Sequence, residues 1–590
     1  MTDAARVSTG GTAGDTDIPM SHRQVLEALS GLLVAMFVAI LSGTIAANAL
    51  PTIAAELHAD ETVYTWIITT TLLAVTVSTP LWGKLADLFN KKLLIQLSLV
   101  IFICGSMFAA LTQNVGMLIT ARAVQGIGVG GLTALSQVIM AAMIPPRERG
   151  RYSGYLGAVF AVGTVGGPLI GGVIVDTPWL GWRWCFCVGV PFSLIAMLVL
   201  QRTLRLPTTK RAVKVDWLGA LLITAAVSLL LIWVSFAGHD YDWLSWQTAA
   251  MVGGSLVLGA LFVLAERTAK EPILPLRLFA VRTISLSSFA SLFIGAAMFG
   301  SSTFLVQYFQ LARGETPTVA GLLTLPMIIG LALSSTISGR IITRTGRWKG
   351  FLVAGAITLA AGMGLMGTMR YDTAYWVLAL FMFCTGVGVG MTQQNLVLAV
   401  QNQVRLADLG AASSLVAFLR SMGGAVGVSV LGAVLSHRVG GYLREGLAAL
   451  GVKAGATAMD GSIPDLSALP APIRTVVQSA FGHAIADLFL FSAPAVLVAL
   501  LAIFLIKEVP LRTTIAHTAE REPAPSTNGF RPGNGAQATA QPASADGIGP
   551  ADGARPADGS RPANGTRPGS ADGTGPGHHG EVTQGERRGR

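Results

Sequence analysis

Charged side chains inside long apolar runs cost free energy unless paired, so they carry function by default. This chain has few. Arg122 and Arg420 each interrupt an apolar run, and Asp487 lies near the start of another, one helical turn after His483. Glu266, Arg340 and Asp176 stand at run edges, where a long side chain can reach the interface. A guanidinium stays protonated under ordinary conditions. Arg122 would therefore bias a nearby acid or water chain, or pair structurally with carbonyls. Asp487 is the acid placed to gain and lose a proton. Ser42, Asn48, Trp66, Gln125, Tyr308, Gln310, Gln393 and Gln394 are polar or aromatic positions within apolar runs. As a group they suit a broad, mostly apolar pocket with a few polar anchors. Singly, each also suits packing between helices. No phosphate-binding loop is present, and no nucleophile or metal constellation stands out, so neither catalysis nor a cofactor is expected. Cys104, Cys185, Cys187 and Cys384 all fall in apolar segments with no histidine cluster beside them, which argues against disulfide or metal roles.

These side chains need a scaffold, and its centre is Gly163-Thr-Val-Gly166-Gly167-Pro168-Leu-Ile-Gly171-Gly172. The string lies in an apolar run over about 152–175, long enough to span a bilayer core. Glycine costs helix stability, and proline removes one backbone hydrogen bond. A helix carrying both in its middle needs tight neighbours. Gly163, Gly167 and Gly171 fall four apart and form one groove, so another helix can approach backbone to backbone. Pro168 leaves the Thr164 carbonyl without its usual donor, which predicts a kink.

The rest of the chain fits such a scaffold. It has 590 residues, 52% of them hydrophobic and only 12% charged, with a mean hydropathy of +0.60. A soluble domain is about a quarter charged, so this is an all-α integral membrane protein. Fourteen spans are predicted: 26–49, 64–86, 93–112, 117–143, 152–175, 184–202, 217–237, 247–265, 284–311, 319–341, 350–369, 374–397, 412–436 and 484–507. Each must be helical, because backbone polar groups need partners within the segment. Of the short loops, one set carries eighteen Lys and Arg and the other only Arg183, Arg313 and Arg370. That asymmetry predicts a cell-membrane protein with both termini in the cytoplasm. It also explains the net charge of +10 without nucleic acid. No cleavable signal is indicated over residues 1–24, so the first span would direct insertion itself.

The predicted parts are a cytoplasmic segment 1–25, a six-helix bundle 26–205, a linker 206–283 with two inserted helices, a second six-helix bundle 284–507, and a tail 508–590. The second bundle carries an outside loop at 437–483. The tail is rich in Pro, Gly and Ala and repeats Ala551-Asp-Gly-Ala-Arg-Pro556 twice more with small changes. It has little to bury and should be disordered. The halves echo each other. Gly83-Lys-Leu-Ala-Asp87-Leu-Phe-Asn90-Lys91-Lys92 ends span 2, and Gly339-Arg340-Ile-Ile-Thr-Arg344-Thr-Gly346-Arg347 ends span 10. In a twelve-helix duplication helix 2 pairs with helix 8. Two inserted helices move the partner to 10, so the spacing reads as six plus two plus six.

The chain resembles the fourteen-span drug:proton antiporters of the major facilitator superfamily over about 25–508. The glycine string resembles their fifth-helix motif, and Gly83 to Lys92 resembles their loop motif between helices 2 and 3. Leu118-Ile-Thr-Ala-Arg122-Ala-Val-Gln125-Gly126-Ile-Gly128 resembles the fourth-helix motif, and Leu41 to Pro51 the first-helix motif. Trp182-Arg183-Trp184 and Val215-Asp216-Trp217 also look familiar for this group. The resemblance implies the major facilitator fold, two six-helix bundles plus two inserted helices, and no enzymatic activity. It implies multidrug efflux by alternating access, powered by a proton gradient, with a small amphipathic substrate, protons and the bilayer as partners and a monomer as the working unit. Arg122 takes the position usually assigned to proton relay. The conformational motifs would be Gly83, Asp87, Lys91, Lys92, Gly163, Gly167, Pro168, Gly171, Gly172, Gly339, Arg340 and Arg344. Asp87 could pair with basic residues, accept from a helix N-terminus, or be a static interfacial charge.

Two positions depart from the pattern. Asn90 stands where glycine is usual, and the turn is expected to survive because Asn tolerates left-handed backbone angles. Ser42 stands where the family often has aspartate. Its absence predicts a neutral to positive cavity, a preference for neutral, zwitterionic or anionic amphiphiles over dications, and proton coupling resting mainly on Asp487. Export of one endogenous metabolite or lipid fits the same residues. A non-transporting scaffold or sensor fits less well, since it would not need motifs that constrain moving helices.

Overall fold

The computed structural model describes residues 22–57, 61–177, 179–204, 206, 215–238, 241–450 and 470–513. Among them, fourteen helices are long and apolar enough to cross a membrane. Spans 1 to 6 are Arg23–Ala46, Trp66–Leu88, Lys91–Ala110, Val115–Met143, Pro146–Val175 and Trp184–Thr203. Spans 7 and 8 are Trp217–Phe236 and Trp246–Thr268. Spans 9 to 14 are Arg282–Ala312, Thr318–Thr345, Lys349–Met366, Tyr375–Gln401, Leu406–Ala449 and Ala471–Phe504. Apolar length sets each helix, and local chemistry sets its ends. Asn114, Asp216 and Ser245 cap the starts of spans 4, 7 and 8 by accepting from backbone N–H groups.

Packing repeats with an offset of eight spans. Span 4 packs on spans 2 and 3, and span 12 packs on spans 10 and 11. Span 1 packs on spans 5 and 6, and span 9 on spans 13 and 14. Matching glycines make these contacts. A side chain at Gly128 would strike the Phe102 backbone in span 3, and one at Gly388 would strike the Leu359 backbone in span 11. Gly130 lies against Ser78 and Val75 of span 2, and Gly390 against Ser334 and Leu331 of span 10. The strings Gly126-Ile-Gly128-Val-Gly130 and Gly386-Val-Gly388-Val-Gly390 are thus one device used twice. Spans 7 and 8 pack on each other, outside this duplication, and span 7 also packs on spans 2 and 13.

Two boundaries differ from those read in the sequence. Both ends of the loop expected over 437–483 are helix: the span 13 helix runs to Ala449 and the span 14 helix begins at Ala471. Hydropathy marks where a segment stops being apolar, not where its helix ends. The polar extensions hold each other, with Gly446 against Val476 and Tyr442 bonded to Asp487. The segment after span 14 is also held further than expected. Ile506 and Leu511 are buried, and Glu508 accepts from the N–H groups of Trp348 and Lys349 at 2.7 and 3.1 Å. The repeats beyond residue 550 lie outside the described residues, as do the side chains of Asn48, Pro168 and Asp176.

Candidate functional site

The two halves meet through two crossings related by the duplication, span 2 with span 13 and span 10 with span 5. At the first, the absent side chain of Gly83 lets span 2 lie against Gly410 and Ser414. One turn later Asp87 accepts from the backbone N–H of Gly410 at 2.7 Å and of Ala411 at 2.8 Å. A carboxylate at a helix N-terminus answers both the free N–H groups and the helix dipole. Of the arrangements open to Asp87, this is the helix N-terminus. At the second crossing Gly150 lies against the Gly339 carbonyl, and Thr343 stands where the first copy has Asp87. Arg147 donates to the carbonyls of Thr343 and Arg344, each at 3.3 Å. Arg149 is buried between the halves and donates to Gln401 at 2.8 Å, to the Ile144 carbonyl at 2.8 Å and to the Ala141 carbonyl at 2.6 Å. Gln401 passes the link to Ser413 at 2.9 Å. A small cavity beside this bridge is lined by Gln137, Gln394, Asn395 and Gln401.

All these bonds lie at the end of the bundle that carries the loop motifs. There Lys92 reaches the Gln201 carbonyl at 2.6 Å, Lys91 is half-buried near Asp87, and Lys84 bonds Glu271 at 2.9 Å. The Arg340 and Arg344 side chains are exposed, so the basic residues that cross between the halves are Arg147 and Arg149 instead. Both follow the Pro145-Pro146 turn after span 4, which is the local signal for them. The turn at Asn90 survives for a different reason than expected. Its φ is −62°, not left-handed, and its side chain caps span 3 by accepting from Lys92 N–H at 2.9 Å. In the second copy Gly346 does adopt the left-handed form, with φ of 73°.

In span 5 the glycine groove takes span 1. A side chain at Gly163 would strike Ile40, and one at Gly167 would strike Thr44, whose hydroxyl donates to the Gly163 carbonyl at 3.1 Å. Gly172 faces Thr318 of span 10, and Gly171 is buried. Beside the contact, Ser42 is half-buried, and Gly43 is exposed with nothing within 4 Å of where a side chain would stand.

Inside the bundle Arg122 donates to Gln125 at 2.7 Å and Gln125 to Ser106 at 2.8 Å, with the guanidinium 5.8 Å from the Phe186 ring. Its Nε is buried without a partner. Arg420, half-buried in span 13, has no polar partner among the described residues. Asp487 lies apart from both arginines' contacts. It accepts from Tyr442 at 3.0 Å and faces Arg438 at 3.6 Å. Three of the expected cavity residues pack against neighbouring helices. Gln125 is 1% exposed between spans 3 and 4. Tyr308 is wholly buried and donates to the Arg370 carbonyl at 2.6 Å. Trp66 stacks on Phe236 of span 7 at 4.7 Å. Gln310, Gln393 and Gln394 are half-buried.

At the far end, Glu56 accepts from Trp182 at 2.9 Å and from Arg183 at 2.8 Å, while Arg183 stacks on Trp182 at 4.4 Å. Bonding to Arg183, opposed by partial burial and reinforced by Trp182, holds the Glu56 carboxyl below its usual range. This cluster belongs to the first half alone.

Known proteins place this architecture. Residues 32–428 match the profile of the Major Facilitator Superfamily. An uncharacterised MFS-type transporter of Mycobacterium tuberculosis is 37% identical over 491 residues, 82% of this chain and 69% of the relative. The multidrug transporter protein MdtP of Bacillus subtilis is 33% identical over 419 residues, 71% of this chain and 77% of the relative. The solved structure of the MFS proton:xylose symporter XylE superposes with a TM-score of 0.52 at 14% identity, covering 80% of this chain and 95% of that one.

Proposed function

The chain belongs to the major facilitator superfamily, a family of transporters rather than enzymes, with the fourteen-span layout of its drug:proton antiporter type; from this premise we propose that it exports amphipathic small molecules from the cell by proton antiport. The observation that carries the reading is the pair of related crossings between the halves, bonded at the motif end by Asp87 and Arg149. Such contacts hold one end closed and can be released together when one half rocks against the other. In this reading the motif end faces the cytoplasm, both termini lie there, and the working unit is a monomer. The relative named as a multidrug transporter supports a broad substrate range.

The charges suggest the substrate class. Ser42 supplies no acid where the family pattern has one, and Arg420 has no polar partner among the described residues. A buried path without a fixed anion binds a cation poorly, because desolvating the cation is not repaid by a partner. The preferred substrates are therefore neutral, zwitterionic or anionic amphiphiles. Efflux from inside-out vesicles under an imposed pH gradient tests both parts. We expect uptake of an anionic amphiphile to collapse with the gradient and to exceed that of a dication of similar size. Uptake indifferent to the gradient rejects proton antiport, and strong dication uptake rejects the substrate class.

A further inference from the structure

The inserted spans 7 and 8 carry two acids that neither crossing uses. Asp216 caps span 7 through one oxygen, which accepts from Gly219 N–H at 2.9 Å. Its other oxygen, Oδ2, is buried without a partner. Glu266, at the end of span 8, is 4% exposed. Its Oε1 accepts from the N–H groups of Ile273 and Leu274 at 2.9 and 3.3 Å. Its Oε2 is buried without a partner. Both carboxyl groups converge on Gly219. The point where a side chain would begin there lies 3.0 Å from Asp216 Cγ and 3.3 Å from Glu266 Oε1. Glycine leaves that space to the two acids.

Two adjacent buried carboxylates, each with a bare oxygen, are strongly disfavoured as a pair of anions. One proton held by the pair removes one of the two charges and supplies an O–H donor between groups that otherwise only accept. We propose that Glu266 and Asp216 together hold one proton, and that this site couples the inserted spans to the gate at Asp87. The inference rests on the reading of the motif end as a moving gate.

The surrounding charges supply the coupling. From span 2, Lys84 lies within electrostatic reach of Glu266, is 7% exposed, and bonds Glu271 of the loop after span 8. Lys84 follows Gly83 directly and stands one turn before Asp87, which also feels Lys91 of span 3. When the shared proton leaves to water, two negative charges face Lys84 where there was one. The ammonium is drawn from Glu271 toward the pair. Span 2 carries that movement to Gly83 and Asp87, where it loosens the bonds to Gly410 and Ala411. Protonation restores the closed arrangement.

Infrared titration of the full-length protein in nanodiscs reads the proton directly. The protonated-carboxyl stretch should be present at neutral pH and lost on alkaline titration. Glu266→Gln should remove that signal. So should Asp216→Asn, because its amide can donate to the bare oxygen of Glu266 and leave Glu266 ionised, and this second variant covers a folding failure of the first. Signal of wild-type amplitude in both variants, or none in the wild type, overturns the proton site. Spin-label distances between the motif ends of spans 2 and 13 read the coupling. We expect the wild-type distance to lengthen as pH rises and the Glu266→Gln distance to stay short throughout. An unchanged pH response in Glu266→Gln overturns the coupling. These readouts need no transport. Vesicle efflux that fails while the infrared loss is seen rejects the exporter reading alone.

Discussion

At the scale of single residues, absent side chains do as much as present ones. Gly167 lies so close to Thr44 that any side chain there must move span 1 or break the Thr44 bond to the Gly163 carbonyl. Overpacking a tight contact costs about 1–3 kcal/mol. Gly167→Leu should therefore insert in the membrane yet lose most efflux, and Thr44→Ala should restore part of it by vacating the space. Near-normal efflux by Gly167→Leu, at equal membrane abundance, would mean this contact does not move in transport. The groove was legible because glycines at a helical repeat admit few other readings. The cavity residues were less so. Gln125, Tyr308 and Trp66 are polar or aromatic within apolar helices, but residue type does not say which way a helix turns its face, and here they pack against neighbours. Asn90 illustrates the same limit from another side. The turn was foreseen and its mechanism was not, because Asn serves equally as a left-handed residue and as a cap.

At the scale of elements, the helices were legible from apolar length and their polar extensions were not. The segment after span 14 is the clearest case. It reads as the beginning of a polar tail, yet it crosses the motif face. Glu508 caps span 11, and the Val509 carbonyl accepts from the Trp348 indole at 2.9 Å. Asn402 donates to the Pro510 carbonyl at 3.1 Å, and Arg512 accepts from Arg147 N–H of the other half at 3.2 Å. Sequence could not show this, because its partners lie more than a hundred residues away. The strap ties both halves on the closed side. A chain ending after residue 513 should keep full efflux. One ending after residue 506 loses these bonds, each worth about 1 kcal/mol net. It should shift the population away from the closed motif end and lower efflux several-fold. Equal efflux from the two truncations, at equal abundance, would show that the strap is passive.

At the scale of the whole molecule, the duplication is close in packing and broken in chemistry. Gly83 with Gly410 and Gly339 with Gly150 are the same backbone contact made twice. Yet among the described residues only the first crossing is bonded by a carboxylate, and span 7 of the inserted pair packs beside it. In the second arm Thr343 spends its hydroxyl on the Gly339 carbonyl of its own helix at 2.9 Å. The first crossing therefore depends on charge and the second on glycine contact and arginine bridges. Charge-assisted bonds are worth about 1.5–3 kcal/mol where neutral ones give about 1. If the two arms act as one hinge, charging the second should deepen closure. Thr343→Asp places a carboxylate beside Gly150, since the threonine hydroxyl already lies within 2.7 Å of the point where a Gly150 side chain would begin. It also sets that carboxylate near Arg147, which already bonds the Thr343 carbonyl. We expect motif-end label distances narrowed to the short population and turnover reduced several-fold. Asp87→Asn in the same chain should relieve both by weakening the first arm. Distances unchanged by Thr343→Asp, in a variant that folds and inserts normally, would mean the second crossing is a fixed pivot and that opening is governed at Asp87 alone.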